Sequence, residues 1–488
     1  MFGTVLVKEL KAVLLTPKFP ATFAVCSILI VLSVFIGIRE YRTAAARYTE
    51  GVDLAAQTLR TQSTWMNLST TAYRKPDPMQ VFVPGVTGDV GRLSSVNSTE
   101  DVKLRNSAYG DDPIFALFRS IDFAFIVQVV LSLFAILFTY DAINGEREGG
   151  TLQLTFAGAV PRPTYILAKL AGAWTALVVP LLVPVLLGLL LVMVYGVPLG
   201  SEGWARCAMF MLASLLYFTF FIALGVLISA LTRSPATSFL GALAAWVVLV
   251  LIVPRIAVMA AGAAHPVPSI AETEGWIDAF AKDRWDQQMK TLSTRWQARQ
   301  ASMEGMSTGE REAYQQSKQQ EWANDDDASR QEVQKDIDAY RVRVNEEQAN
   351  RVAAQEGLAF ALARVSPAAA YQIASMRLGG TGVEMKALNE SAMRDYRRAF
   401  TQYTAGKQKE SGTQGGFRIT VDSQTGFHFS APRERGTLDV SDVPVFRPPS
   451  KRFGEDTASA LVDTGIIAVL VLLSCAGAFV AFMRYDVR

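Results

Sequence analysis

The sequence is poor in the residues that carry most protein chemistry. Its 488 residues include three cysteines and two histidines. His265 and His428 are distant in sequence, and neither belongs to a zinc spacing such as His-Glu-x-x-His. Cys26, Cys207 and Cys475 lie in or beside apolar runs, so they neither cross-link polar segments nor pair with a histidine as a nucleophile. We therefore expect no disulfide framework, no metal site and no thiol hydrolase.

Further absences narrow the function. The formal net charge is +2, which is too small to neutralise phosphates, so we expect no nucleic-acid partner. The Gly406–Lys407 pair lacks the upstream glycine and the following serine or threonine of a phosphate loop, and no glycine-flanked serine elbow occurs. The acidic run Asn324–Ser329 does not match a calcium loop. We therefore predict that the chain is not an enzyme and binds no cofactor.

What the sequence does have is long apolar runs. About 20 apolar residues cross a bilayer as a helix, and six stretches reach that length. None has an ionisable residue in its middle, whereas proton- or sodium-driven carriers usually keep such groups there. The predicted transmembrane helices are 20–38, 115–140, 167–195, 205–231, 239–261 and 460–482.

The two ends of the first span set the predicted orientation. Residues 1–19 place Phe2, Val5 and Leu6 on a helical period against Lys8, which predicts a helix lying in the cytoplasmic interface. The length of the first run favours an uncleaved signal anchor over a cleaved signal peptide. Lysine and arginine in the short loops favour cytoplasmic N- and C-termini.

Two longer polar segments, 39–114 and 262–459, then fall outside the membrane. In the larger one, Ser269–Glu272 and Ser307–Glu310 match the helix-starting capping box, and Gly305 marks a reversal between them. We predict an antiparallel helical hairpin followed by a helix to about Ala363. Residues 363–382 are too short to span, and form either a helix on the outer membrane face or the core of the external domain.

Residues 415–432 alternate like a small β-hairpin. The predicted fold is therefore an all-α integral membrane protein with six transmembrane helices and an N-terminal interfacial helix. It also carries a mainly helical external domain with a small β and loop portion.

The polar connector 141–166 is unusually elaborate for a loop between two spans. It reads DAINGEREGGTLQLTFAGAVPRPTYI and is followed by Lys169 near the start of the third span. This order of charged residues, Gly-Thr, a short apolar helix, Pro or Arg and a lysine resembles the loop after the second span of type-2 ABC exporter permeases. Residues 230–256 and 366–382 also resemble segments of that family, and the large external insertion between spans five and six is typical of a subgroup.

The resemblance implies a permease half in the plasma (inner) membrane of a prokaryote. Its cytoplasmic face would dock on ABC ATPase subunits that hold ATP and Mg, and it would pair with a second permease copy, identical or related. We call residues 141–166 the coupling segment. Within it, Gly149 and Gly150 would end the second span's helix, Thr151 would cap a short new helix, and Leu152, Leu154 and Phe156 would form an apolar knob for the ATPase. The alternative is a loop that rests on the bilayer.

The predicted coupling residues are Glu146, Arg147, Glu148, Gly150, Thr151, Leu152, Leu154, Phe156 and Arg162. Glu146, Arg147 and Glu148 are expected to orient the partner through complementary charges. Polar side chains within the spans either bond helix to helix or line a substrate path. These are Gln128, Ser132, Thr139, Ser214 and Thr219.

Three function classes follow. The leading one is the membrane subunit of an ABC exporter. The second keeps this architecture but uses ATP hydrolysis to move the external hairpin against a periplasmic or envelope partner, with no translocated substrate. The third is a membrane-embedded hydrolase that depends on His265 or His428.

Overall fold

A computed structural model describes residues 2–65, 68–98, 102–107, 121–158, 160–410, 418–422, 426–430, 438–449 and 453–485. Its first half contains α1 (Phe2–Leu14), α2 (Lys18–Thr61), β1 (Thr70–Tyr73), β2 (Leu93–Val96), α3 (Phe123–Phe125, π-helical Ile126–Leu131 and Ser132–Thr139), α4 (Asn144–Glu148), α5 (Thr151–Ala157), α6 (Arg162–Val194) and α7 (Gly200–Leu231). Its second half contains α8 (Pro235–Trp246, π-helical Val247–Ile252 and Val253–Ala264), α9 (Ile270–Ala301), α10 (Thr308–Ala363), α11 (Pro367–Gly379), α12 (Glu384–Glu410), β3 (Arg418–Asp422), β4 (Gly426–Ser430) and α13 (Phe453–Met483).

Six stretches of the described chain are helical, long and apolar enough to cross a membrane. This confirms the predicted all-α membrane fold. They are Lys18–Thr61, Phe123–Glu148, Arg162–Val194, Gly200–Leu231, Pro235–Ala264 and Thr457–Met483. The predicted start of the second span, residues 115–120, lies outside the described residues.

The first of these helices is much longer than its apolar run. The predicted span ends at residue 38, but α2 continues without a break to Thr61. Residues 39–61 contain five alanines and four arginines, which favour helix, and no proline. Beyond α2, the short strands β1 and β2 pair antiparallel, with Thr70 opposite Val96.

The core of the first compact unit, Met1–Val253 and Arg364–Arg488, is built around α7, which packs against α3, α11 and α13. The short helix α11 is buried in this core. Its Tyr371 stacks on Tyr217 of α7 with ring centroids 4.7 Å apart, and its hydroxyl lies 3.0 Å from Ser214 Oγ. Residues 363–382 were expected on the outer membrane face or in the core of the external domain. Instead, α11 lies against two apolar helices because most of its side chains are small or apolar.

Two of the apolar helices in the described part of the chain contain a π-helical stretch, and in each a carbonyl accepts a hydroxyl from another helix or its cap. Gln128 O of α3 accepts the Tyr217 hydroxyl at 2.8 Å, and Leu249 O of α8 accepts the Ser366 hydroxyl. A π-helical turn displaces the usual i to i−4 hydrogen bonds, which leaves carbonyls for outside donors. These contacts tie α3 and α8 to their neighbours.

The second unit, Pro254–Ala363, contains the predicted antiparallel pair, α9 and α10. Ser269 and Glu272 form the full capping box at the start of α9, and Phe280 stacks on Tyr340 with centroids 4.1 Å apart. The second helix and the predicted following helix are one element, α10. On α9 the apolar side chains of Trp276, Met289 and Trp296 are exposed.

Backbone pairing of β3 with β4, from Arg418 opposite Ser430 to Asp422 opposite Gly426, matches the predicted small hairpin. Another small apolar core, within the first unit, includes Trp65, Val96 and Phe400.

Candidate functional site

The coupling segment folds into two short helices separated by two glycines. Gly149 ends α4 with φ −77°, whereas Gly150 precedes α5 with φ +69°, a left-handed conformation that a side chain would strain. Thr151 was expected to cap α5, but it is the helix's first residue, and its hydroxyl donates to Glu146 O at 3.2 Å. The cap position belongs to Gly150, which has no side chain to offer.

The three apolar residues of α5 do not share one surface. Leu152 is fully buried, while Leu154 is 74% exposed. Phe156 is half-buried, with its ring centroid 5.3 Å from that of Tyr165 and 6.1 Å from that of Phe482. Successive helical residues turn by about 100°, so residues two apart lie on nearly opposite faces. The prediction that these three residues form one exposed apolar knob is therefore wrong. Of the three, Leu154 is the one exposed to a partner.

Beneath α5, a buried lysine joins two carboxylates from different elements. Lys169 Nζ of α6 lies 2.9 Å from Glu9 Oε1 of α1 and 2.6 Å from Glu146 Oε1 of α4. The other Glu146 oxygen accepts the Tyr165 hydroxyl at 2.7 Å, and Lys8 also reaches Glu146 at 2.9 Å. We call Lys8, Glu9, Glu146, Tyr165 and Lys169 the charge cluster.

The charge cluster is compensated within itself, because two ammonium groups face two carboxylates. Burial is the main effect on Glu9 and raises the pKa of its carboxyl, while the Lys169 ammonium acts in the opposite direction. Helix α1 approaches α6 closely: a Cβ at Gly172 would lie 2.6 Å from Glu9 Cβ. The charge cluster therefore fixes α1, α4 and α6 to one another. Glu146, expected to pair with charges of a partner, is engaged inside the chain.

The start of α4 is fixed to the short loop between α7 and α8. Asn144 Nδ2 donates to Thr232 Oγ1 at 3.0 Å and to Ser234 O at 3.2 Å. Ser229 Oγ accepts the Ile143 amide at 2.9 Å. The loop between α7 and α8 thus supports the coupling segment.

The two arginines of the predicted site lie at the end of α13. The Arg147 guanidinium is 5.5 Å from the ring centroid of Tyr485, and Arg162 donates to Met483 O at 3.0 Å and to Tyr485 O at 3.3 Å. Glu148 is exposed. Of the three charged residues expected to orient a partner, Glu148 is the one most available for that role.

Sequence reasoning missed Glu9 and Lys169. The signal for Glu9 was available, because Val5, Glu9 and Val13 are spaced four apart and share the buried face of α1. A carboxylate on an apolar stripe indicates a buried cationic partner.

Four of the five residues predicted for a substrate path, the serines and threonines, make side-chain hydrogen bonds within the chain. Ser132 Oγ donates to Gln128 O at 2.6 Å and accepts Trp246 Nε1 at 2.8 Å. Thr219 Oγ1 accepts Trp174 Nε1 at 2.9 Å. Thr139 and Ser214 donate to carbonyls four residues earlier in their own helices, at 2.7 and 2.9 Å. The bonds of Ser132 to Trp246 and of Thr219 to Trp174 favour helix-to-helix bonding, and a substrate path along these residues stays a prediction.

The residues proposed for a hydrolase are not brought together by anything the structure describes. His265 is exposed just beyond α8, and the side chain of His428 lies outside the described ones. Among the described residues, no group of three or more His, Cys, Asp or Glu side chains could hold a metal ion.

Comparison with known proteins bears on the whole chain. A family model described as ABC-2 family transporter protein matches residues 4–487. Over 131 residues the chain is 32% identical to the probable ABC transporter permease protein NosY of Stutzerimonas stutzeri. That match covers 26% of this chain and 47% of the relative, so the chain spans about half of the relative's length.

Proposed function

This chain belongs to the ABC-2 family of transporter proteins, and from that premise we propose that it is the permease half of an ABC exporter, driven through α5. ATPase subunits on the cytoplasmic side hold ATP and Mg. A second permease copy, identical or related, completes the membrane part. The charge cluster, the coupling segment and both termini face the cytoplasm of a prokaryote, and the α9–α10 hairpin lies outside.

The observation that carries this proposal is the exposure of Leu154 on a firmly supported helix. Leu154 is 74% exposed, while Leu152 two residues earlier is fully buried. An exposed leucine on a preorganised base binds a pocket without a large ordering cost. Glu148, at the end of α4, adds a charge that orients the partner more than it tightens binding.

The supports of α5 also provide a route for force. Glu146 connects the segment to α6 through Lys169, and Asn144 connects it to the α7–α8 loop through Thr232. Phe156 packs against Phe482 of α13. Closure of two ATPases would therefore displace several spans together, as in a rigid-body transition.

Coexpression with an ABC ATPase encoded beside this chain tests the proposal. We expect the two to copurify from mild detergent and ATP hydrolysis to rise relative to the ATPase alone. Absence of both association and stimulation with every neighbouring ATPase would overturn it.

A second function is supported by the length of α9 and α10, 32 and 56 residues, and by the exposed side chains of Trp276, Met289 and Trp296. Here ATP hydrolysis moves the hairpin against an envelope partner and no substrate is translocated. Deletion of residues 269–363 with ATPase assembly intact separates the two functions. Envelope function that survives the deletion would contradict the mechanical one.

A further inference from the structure

A fully buried carboxylate stands in the apolar helix α13, far along the chain from the charge cluster. Asp463 has no exposed surface, and each of its oxygens is paired. Oδ1 accepts Arg364 Nε at 2.5 Å, and Oδ2 accepts Arg377 Nη1 at 2.7 Å. Arg377 Nε also lies 3.3 Å from Glu384. Two arginines and two carboxylates therefore form a second compensated cluster.

The two arginines bracket one short stretch of chain. Arg364 directly follows the last residue of α10, and Arg377 lies in the last turn of α11. Between them, Ser366 caps α11, and its hydroxyl donates to Leu249 O in the π-helical part of α8. We call residues 364–380 the root segment. Asp463 holds both ends of it against α13.

Stability alone gives no reason for this arrangement. Burying an ion pair costs desolvation energy that its attraction barely repays, and well-packed apolar residues often do as well or better. An ionisable residue within an apolar span points to function by default. Asp463 takes no part in the contacts described above for the coupling segment.

The opposite end of α13 contacts the coupling segment. Phe482 stacks on Tyr165 with centroids 5.1 Å apart and lies near Phe156. Asp463 and Met483 are separated by 20 residue steps, or about 30 Å of helix, close to the thickness of the hydrocarbon core. Helix α13 thus contacts the coupling segment at one end and is ion-paired with the root segment near the other.

We propose that α13 transmits displacement of the coupling segment to the root segment, and that Asp463 is the positioning residue that makes this connection. The inference rests on the proposed function, since the ATPase supplies the displacement. A helix resists compression along its axis because every turn is hydrogen-bonded, so α13 can carry an axial shift. The paired arginines convert that shift into movement of the chain that follows α10.

The test is hydrogen exchange on the full permease–ATPase complex, with and without ATP plus orthovanadate. Two regions are compared, residues 151–158 and the root segment. In the wild type we expect nucleotide to change protection in both. Arg364→Gln keeps Asp463 paired with Arg377, so no unpaired charge is buried and the fold is retained. Asp463→Asn removes both ion pairs.

Both variants should bind the ATPase normally and keep the nucleotide-dependent change in residues 151–158. In the root segment we expect that change to fall by about fivefold or more, the lower end of typical coupling. Asp463→Glu should restore part of it. Thr464→Val is the matched control, because Thr464 is buried beside Asp463 and its hydroxyl donates to Ala460 O of its own helix. It should behave as the wild type.

Each outcome decides one proposal. A wild-type change in residues 151–158 without one in the root segment overturns the inference and leaves the proposed function standing. So does a root-segment change that both variants retain in full. No nucleotide-dependent change in either region of the wild type contradicts the proposed function itself, and the inference falls with it.

Discussion

The Lys169 ammonium lies 2.6 Å from a carboxylate oxygen of Glu146, with the lysine side chain 3% and the glutamate 15% exposed. This ion pair connects the third apolar helix to the coupling segment in a nearly water-free place. Glu9 shares the same lysine from the other side. Lys169 is therefore the one buried cation of the charge cluster and contacts both of its carboxylates.

Lys169→Met should lower the free energy of unfolding strongly, because it leaves Glu9 and Glu146 close together with the buried cation gone. We expect a loss of about 3 to 5 kcal/mol, the usual cost of removing one partner from a buried pair. Thermal unfolding in detergent measures it. The control is Lys318→Met, whose ion pair with Glu321 is exposed to solvent and therefore contributes little to stability.

A triple variant sharpens the lysine prediction. Adding Glu9→Gln and Glu146→Gln to Lys169→Met removes the opposing charges, and should recover most of the lost stability. If Lys169→Met lowers the free energy of unfolding no more than the Lys318→Met control does, the charge cluster does not stabilise the fold.

Leu154→Asp should weaken ATPase binding while leaving the apolar helices folded. Loss of an interface anchor typically costs about 2 kcal/mol or more, roughly thirtyfold in Kd. Phe156→Asp is less informative, because Phe156 packs on Tyr165 and Phe482. Copurified ATPase is measured against Leu54→Asp, the same change at a helical leucine that is 60% exposed. Undiminished ATPase binding by Leu154→Asp would remove α5 from the interface.

The two glycines of the coupling segment should differ in their tolerance of alanine. Gly150→Ala forces a side chain into a left-handed conformation and should cost about 1 to 2 kcal/mol. Part of that cost should appear as a lower stimulated ATPase rate, because α5 changes direction. Gly149→Ala should have little effect, because φ is −77° and the new Cβ would lie at an ordinary van der Waals distance of 3.4 Å from Gly145 O. Equal effects of the two changes would contradict the assignment of Gly150 as the required glycine.

Gly225 of α7 marks a close contact with α3. A Cβ at this position would lie 1.9 Å from Thr139 Oγ1, so Gly225→Ala should destabilise by about 1 to 3 kcal/mol through overpacking. Combining it with Thr139→Ala should recover part of the loss. Gly357→Ala is the control in an open helical position, where alanine stabilises by roughly 0.5 to 1 kcal/mol. Additive effects of Gly225→Ala and Thr139→Ala in thermal unfolding would show that the two sites do not touch.

The features set by apolar length or by motif were predictable from the sequence. Six spans, the capping box at Ser269 and the small pairing of β3 with β4 needed only local information. The resemblance to ABC exporter permeases is confirmed at the level of the family. That resemblance rests on the order of residues along the chain, which can be recognised without knowing the fold.

What sequence could not supply was the direction in which side chains point across helices. Leu152, Leu154 and Phe156 look equivalent in the sequence. In the structure Leu152 is buried, Leu154 is exposed and Phe156 is half-buried. Asp463 sits near the start of an apolar run, and nothing local pairs it with Arg364, which is 99 residues away. Such pairings arise only when distant segments pack.

The unbroken length of α2 has a consequence of its own. Forty-four residues make a rod of about 66 Å, roughly twice the hydrocarbon thickness. A stiff rod tilts as a whole, so a small swing of its bilayer half becomes a wider arc at the far tip, beside Trp65 and the β1–β2 pair. Helix α2 therefore has the geometry of a lever arm, in which displacement grows with distance from the membrane.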